Sequence, residues 1–199
     1  MKYSMLTLIV FCLLAYAIGS LSSAVIVCRL AGLPDPRTAG SKNPGTTNVL
    51  RLGNKKAAIA TLLGDVLKGF IPVFIVMHIN PGAQFVGLVM LSAFLGHVYP
   101  IFFAFKGGKG VATAVGTLLA LSIPLGLVSV GTWGIIVYCF RISSLAALSA
   151  ALLAPIYTFW LLNIQYAIPV FIMSAFLLWR HRANIQRLLQ GTEPKIGSS

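Results

Sequence analysis

Seven apolar runs, separated by breaks of a few residues, leave this chain little freedom to be anything other than a bundle of membrane helices. They fall at about 4–31, 56–79, 83–105, 111–122, 125–140, 143–162 and 164–179. A straight crossing needs roughly 20 residues, so the shorter runs carry uncertain ends. The breaks have local causes: Asn80-Pro81-Gly82 is a turn, Pro124 stops a helix, Arg141 is a charged flank, and Asn163 parts the last two runs. Only 9% of the residues are charged and mean hydropathy is +0.92, whereas a soluble domain carries roughly 25% charged residues. The expectation is an all-α, polytopic integral membrane protein of about seven transmembrane helices, organised as a single domain over 1–199.

Loop charge orients the bundle. With the N-terminus outside, fourteen of the fifteen lysines and arginines lie inside or toward the inner side, and only Lys2 lies outside. This asymmetry places the C-terminus in the cytoplasm. Five spans would satisfy the same parity if two short runs do not cross. Lys2 followed by an apolar stretch resembles a signal peptide, but that stretch reaches Leu30 without a convincing cleavage site and reads as an uncleaved first helix. The net charge of +12 sits in short loops, which leaves no soluble face for nucleic acid. Cys12, Cys28 and Cys139 are singletons inside apolar runs and suggest neither a disulfide framework nor a metal site.

Three polar clusters interrupt this apolar chain. Residues 96–113 place Lys106 and Lys109 among Gly107, Gly108 and Gly110, just before a helix start. Glycines admit close approach to a backbone, ammonium groups supply charge, and the helix start adds its positive dipole end, so the stretch describes a phosphate cradle. The plainer reading is a tight loop with positive-inside lysines. Residues 40–51 carry Ser41, Asn43, Gly45, Thr46, Asn48 and Arg51. Their hydroxyls and amides orient a substrate, and the arginine clamps a phosphate; a solvated turn is the alternative. Asp65 and Lys68, three apart inside the second span, share a helical face and read as a supporting pair. His97 reads from position alone as a satisfied core histidine more readily than a base, and His181 with Asn184 shares a face just beyond the last span. No cluster has metal-ligand spacing, and the expectation is chemistry without a cofactor.

The three motifs occur in order: Gly40-Ser41-Lys42-Asn43-Pro44-Gly45-Thr46-Thr47-Asn48, Gly64-Asp65-Val66-Leu67-Lys68-Gly69, and Gly96-His97 through Lys106-Gly107-Gly108-Lys109-Gly110-Val111-Ala112-Thr113. With the tail from His181 to Gly191, they make the chain resemble the PlsY family of bacterial acyl-phosphate-dependent glycerol-3-phosphate acyltransferases over essentially its whole length. No motif position departs from the pattern. The resemblance implies transfer of a fatty acyl group from acyl phosphate to the sn-1 hydroxyl of glycerol 3-phosphate, giving lysophosphatidic acid and phosphate. It implies a multi-pass protein of the bacterial cytoplasmic membrane with its site facing the cytoplasm, and a soluble partner, PlsX, that supplies the acyl phosphate. Carried over by residue, it names Ser41, Lys109, His181 and Asn184, with His97 next, as catalytic. Asn43, Gly45, Thr46, Asn48, Arg51, Lys106, Gly107, Gly108 and Gly110 would bind substrate. Two rivals remain: an exchanger of organic phosphates would place its charges near the midplane with access from both sides. A lipid-binding adaptor would use the lysines but not the Ser, Asn and Thr pattern.

Overall fold

The computed structural model describes residues 4–197; Lys2, the one cation expected outside, falls beyond them. Ten α-helices and one 3₁₀ turn make up the regular structure of the described residues. In chain order they are α1 (Met5–Gly19), α2 (Ser23–Leu30), α3 (Thr46–Arg51), α4 (Lys55–Ile79), α5 (Ala83–Val98), a 3₁₀ turn (Ile101–Phe103), α6 (Val111–Leu121), α7 (Ile123–Phe140), α8 (Ser143–Leu161), α9 (Ile164–Arg180) and α10 (Arg182–Leu189). Five segments are long and apolar enough to cross a membrane: Met5–Leu30, Lys55–Ile79, Ala83–Phe103, Ile123–Phe140 and Ser143–Leu161. Val111–Leu121 and Ile164–Arg180 are apolar but shorter.

The helices differ from the apolar runs at three informative places. The first run is broken between α1 and α2, where Ser20 caps α1 and Ser22 starts α2. Both serines are buried, and Ser20 Oγ accepts a hydrogen bond from the Ile101 amide. The run at 83–105 yields a helix only to Val98, because Tyr99 leaves helical geometry ahead of Pro100. His97, expected near the middle of an apolar run, therefore lies in the last turn of α5. Between α6 and α7 a single extended residue, Ser122, with Pro124 just after it, turns one helix into the next.

Large side chains point outward in this bundle. Leu6, Leu13, Leu63, Leu127, Ile135 and Phe171 are all exposed, as expected for surfaces bathed in lipid. Association of such helices relies on close van der Waals packing, since lipid tails are as apolar as leucine. Small residues supply that approach. A Cβ on Gly19 would stand 2.2 Å from the Ala93 carbonyl oxygen, joining α1 to α5, and one on Gly116 would stand 2.0 Å from that of Val66, joining α6 to α4. Phe94, Met90 and Leu125 fill the core behind these contacts.

Hydrogen bonds gather the loops into two ends. At one end Thr47 meets Ser143, Arg180 meets Gly107, and the Ile196 amide meets the Arg141 carbonyl. At the other, the Tyr166 hydroxyl donates to the Pro81 carbonyl. Nearly all the polar chemistry belongs to the first end. Gly19→Ala should lower the melting temperature in detergent by an amount corresponding to overpacking, about 1–3 kcal/mol. Gly131→Ala, where an added Cβ meets nothing within 4 Å, should leave it unchanged or raise it. Equal melting temperatures for the two variants would show that α1 and α5 are not in tight contact.

Candidate active site

The loop between α2 and α3 is shaped by one asparagine. Asn48, buried on α3, accepts from the Ser41 amide at 2.8 Å and donates to the carbonyls of Pro36 and Ala39 at 2.9 and 3.0 Å. Asp35 and Arg37 brace the same loop through a 2.7 Å ion pair, and the hydrogen bonds from Arg37 hold the Asp35 carboxyl below its ordinary pKa. Both amide hydrogens of Asn48, expected among the substrate-binding residues, are engaged with the loop backbone. What Asn48 does is present Ser41, which is exposed beside it. The Gly45 amide donates to the Asn43 carbonyl at 2.9 Å. Thr46 keeps a buried hydroxyl without a protein partner, Asn43 is half-buried, and Arg51 is exposed on the last turn of α3.

The glycine turn serves packing before it serves any ligand. A Cβ on Gly107 would stand 2.1 Å from the His97 carbonyl oxygen, one on Gly108 would stand 2.3 Å from His97 Nε2, and one on Gly110 would stand 2.2 Å from the Phe94 ring. Gly110 also has φ +90, which suits glycine as it starts α6. The Gly108 amide donates to the His97 carbonyl at 3.3 Å, and the Gly107 carbonyl accepts from Arg180 at 3.1 Å. The three glycines, expected to cradle an anion, are buried and let the turn fold back onto α5. Lys106 is exposed at the surface.

Lys109 leaves this turn and reaches the far end of the chain. Its ammonium donates to Asn184 Oδ1 on α10. Asn184 Nδ2 in turn donates to Glu193 Oε1 at 2.6 Å, Ser144 Oγ donates to the same oxygen at 2.7 Å, and Arg187 Nε reaches Oε2 at 2.7 Å. Burial alone would raise the Glu193 pKa, but these three donors outweigh it and hold the carboxylate ionised. Burial also lowers the Lys109 pKa to about 8, with Glu193 opposing and Arg187, Arg180 and Arg51 adding to the fall. His181, buried beside it, donates Nδ1–H to the Leu177 carbonyl at 2.8 Å. That leaves Nε2 as an acceptor. Burial, then the Lys109 charge, depress the His181 pKa to about 4, so the ring is neutral at physiological pH. A small apolar cavity of about 40 Å³ starts at Val111, two residues past Lys109, and is lined by Ala114, Leu118, Ala147, Ala151 and Met173.

The structure thus joins Lys109, His181 and Asn184, brings Arg51 within electrostatic range of Lys109, and sets the Ser41 loop against the turn through Pro44. His97 is placed elsewhere: its ring lies between Asp65, 3.6 Å away, and Gly108. Asp65 and Lys68 form the pair their spacing suggests, at 2.7 Å. Sequence reasoning missed Glu193, Ser144, Arg187 and Arg180. The available signal was scarcity, since Glu193 is one of three acidic residues in the chain and the only one that follows the final arginines.

A profile of the glycerol-3-phosphate acyltransferase family matches residues 9–191. The chain belongs to that family. Glycerol-3-phosphate acyltransferases from Vibrio cholerae and Burkholderia thailandensis are 53% and 56% identical to it, over 96% and 92% of this chain and 90% and 93% of theirs. Among solved structures, the glycerol 3-phosphate form of PlsY (YgiH), an integral membrane glycerol 3-phosphate acyltransferase, superposes with a TM-score of 0.92 at 36% identity, covering 96% of both chains. Its lysophosphatidic acid form gives 0.88 at 35% over the same coverage. The chain is a multi-pass membrane acyltransferase of the PlsY type.

If the charged form of Lys109 serves this acyl transfer, its pKa of about 8 fixes the sign of the pH dependence. A lysine is cationic below its pKa, so the transfer rate should fall as pH rises through about 8. Lys109→Arg, which stays charged, should remove that alkaline limb from whatever activity it retains. A wild-type rate that holds steady to pH 10 would show that the ammonium is not required.

Proposed function

We propose that this acyltransferase takes its acyl group from an acyl phosphate and delivers it to the sn-1 hydroxyl of glycerol 3-phosphate, releasing lysophosphatidic acid and inorganic phosphate. The observation that carries the reading is the arrangement of Lys109, Asn184 and Glu193 beside a neutral His181, in a pocket whose other charges are arginines. The glycerol 3-phosphate and lysophosphatidic acid forms of PlsY support the same acceptor and product for a relative that aligns over nearly the whole chain.

Arg51, with Asn43, Thr46 and Lys106, binds the phosphate of the acceptor, the arginine through its planar fork. The acceptor hydroxyl attacks the carbonyl carbon, an ester C–O bond forms, and the bond from that carbon to the phosphate oxygen breaks. Lys109 and the Ser41 hydroxyl stabilise the negative charge that develops on the carbonyl oxygen. Asn184 holds Lys109 in place and is itself held by Glu193. His181 Nε2 accepts a hydrogen bond from the attacking hydroxyl and orients it. A base with a pKa of about 4 retains a proton poorly at neutral pH, so the proton passes to a phosphate oxygen, whose second pKa is about 6. Since phosphate departs readily, the enzyme supplies position and charge rather than a strong base.

The same reading makes residues 1–199 one domain with seven spans, the N-terminus outside and the C-terminus in the cytoplasm of a bacterial inner membrane. The site then faces the cytoplasm, where a soluble enzyme of the PlsX type delivers acyl phosphate to it. The charge split favours this orientation, because the loops around Asn80, Pro124 and Asn163 carry no lysine or arginine.

Two experiments test the proposal. Purified enzyme given palmitoyl phosphate should release phosphate only when glycerol 3-phosphate is present, with a 1-acyl product. Phosphate release without the acceptor, or acyl transfer only from a thioester donor, would overturn the donor assignment. In the second, Asn80→Cys and Asn163→Cys in intact cells should react with an impermeant maleimide, above the wild-type background. Lys42→Cys and Lys195→Cys should react only after permeabilisation. Labelling of Asn80→Cys from the cytoplasm would exclude the orientation.

A further inference from the structure

Behind the Lys109 turn lies a charged group that the reaction does not use. Asp65, Lys68 and His97 are 2%, 5% and 6% exposed, come from two different helices, and lie within the membrane-spanning segments Lys55–Ile79 and Ala83–Phe103. Ionisable side chains at that depth are expensive and serve a purpose when they occur. The contacts run in one direction. The Lys68 ammonium donates to the Leu21 carbonyl, in the break between α1 and α2, at 2.8 Å and pairs with Asp65 at 2.7 Å. The same Asp65 oxygen lies 3.6 Å from His97 Nδ1. The opposite edge of the His97 ring abuts Gly108, where a Cβ would come within 2.3 Å of Nε2 and 3.0 Å of the Pro44 carbonyl oxygen. The His97 carbonyl accepts the Gly108 amide. Residue 108 is thus clasped between the histidine and the Ser41 loop, one residue from Lys109.

We propose that Asp65, Lys68 and His97 are a positioning device: they fix the turn at Gly107-Gly108 and, through it, the place of the Lys109 ammonium. The inference rests on the reading that Lys109 faces the reacting carbonyl. Lys68 is oriented by its ion pair with Asp65 and by a backbone carbonyl in the α1–α2 break, and the His97 ring is packed between that carboxylate, beyond hydrogen-bond length at 3.6 Å, and residue 108. An apolar side chain at 97 would fill the volume without setting the ring's angle. A displacement of about 1 Å at a reacting group costs on the order of 10²-fold in rate, so the tolerance on this turn is narrow. In this arrangement His97 is a positioning residue that acts through the turn.

The test compares His97→Ala, His97→Gln, Gly108→Ala, the double variant Gly108→Ala/His97→Ala, and Lys109→Ala. Each is purified in detergent and read for melting temperature, kcat with palmitoyl phosphate, and KM for glycerol 3-phosphate. Rates are expressed per folded protein. His97→Ala should lose about 10²-fold in kcat with KM nearly unchanged, and His97→Gln, with a polar tip toward Asp65, should recover part of the loss. Gly108→Ala should be comparably impaired because its methyl meets the ring. The double variant should be no worse than the poorer single variant, because the ring that the methyl strikes is gone. A wild-type kcat in His97→Ala, or fully additive losses in the double variant, would overturn the proposal, as would a loss confined to yield and melting temperature. Lys109→Ala separates the two readings. If it retains wild-type turnover, the assignment of Lys109 to the reaction fails; if it is inactive while His97→Ala is not, only the positioning role fails.

Discussion

Lys109 keeps an ammonium group where burial and three arginines all oppose its charge. Its hydrogen-bond acceptor is Asn184, and Asn184 is fixed by the Glu193 carboxylate, which also takes a hydroxyl from α8 and a guanidinium from α10. The segment that carries Glu193 therefore has to return to the start of α8 before the network around Lys109 is complete. Glu193 relieves the local excess of positive charge without cancelling it, which leaves a net cationic pocket suited to phosphate groups. Removing that carboxylate would free Asn184 to turn and leave Lys109 among like charges with no fixed acceptor.

Rigidity around this charge comes from the absence of side chains as much as from their presence. Helices in lipid gain little from burying apolar groups, so α1 meets α5 and α4 meets α6 where glycine lets backbones touch. The same device recurs at the Lys109 turn, where Gly107, Gly108 and Gly110 occupy positions with no room for a Cβ. A glycine-rich stretch beside lysines has two physical explanations, close approach of an anion and close approach of the protein itself. Here close approach of the protein itself is met at all three glycines. Arg180 closes the arrangement from α9 by holding the Gly107 carbonyl while it lies over the Tyr99 ring.

Some individual roles could be read directly from residue spacing. The pairing of Asp65 with Lys68 followed from a three-residue separation on one helix. Asn48 could not be read this way. An asparagine in a polar loop has the same composition whatever it holds, and only the positions of the Pro36, Ala39 and Ser41 backbones show that it braces the loop. His97 is a similar case, since its facing partners come from α4 and from the turn after its own helix. Glu193 was hidden for another reason: its partners lie 6, 9 and 49 residues away, too dispersed for a periodic pattern to reveal.

By itself, the sequence determined that the chain is a helical membrane bundle, because runs of apolar residues in lipid must satisfy their backbone hydrogen bonds within each helix. It also determined which end collects the cations, and its three ordered motifs identified the family. These properties depend on local composition and on spacing within one element, which the linear order preserves. Only the tertiary structure decided which helices touch, that the 83–105 run stops as a helix at Val98, and that His97 turns toward Asp65 and Gly108. It alone joined residue 109 to 184, 184 to 193, and 193 to 144. Hydrogen bonds between distant residues depend on side-chain positions set by packing across several helices, and no property of a single segment encodes them.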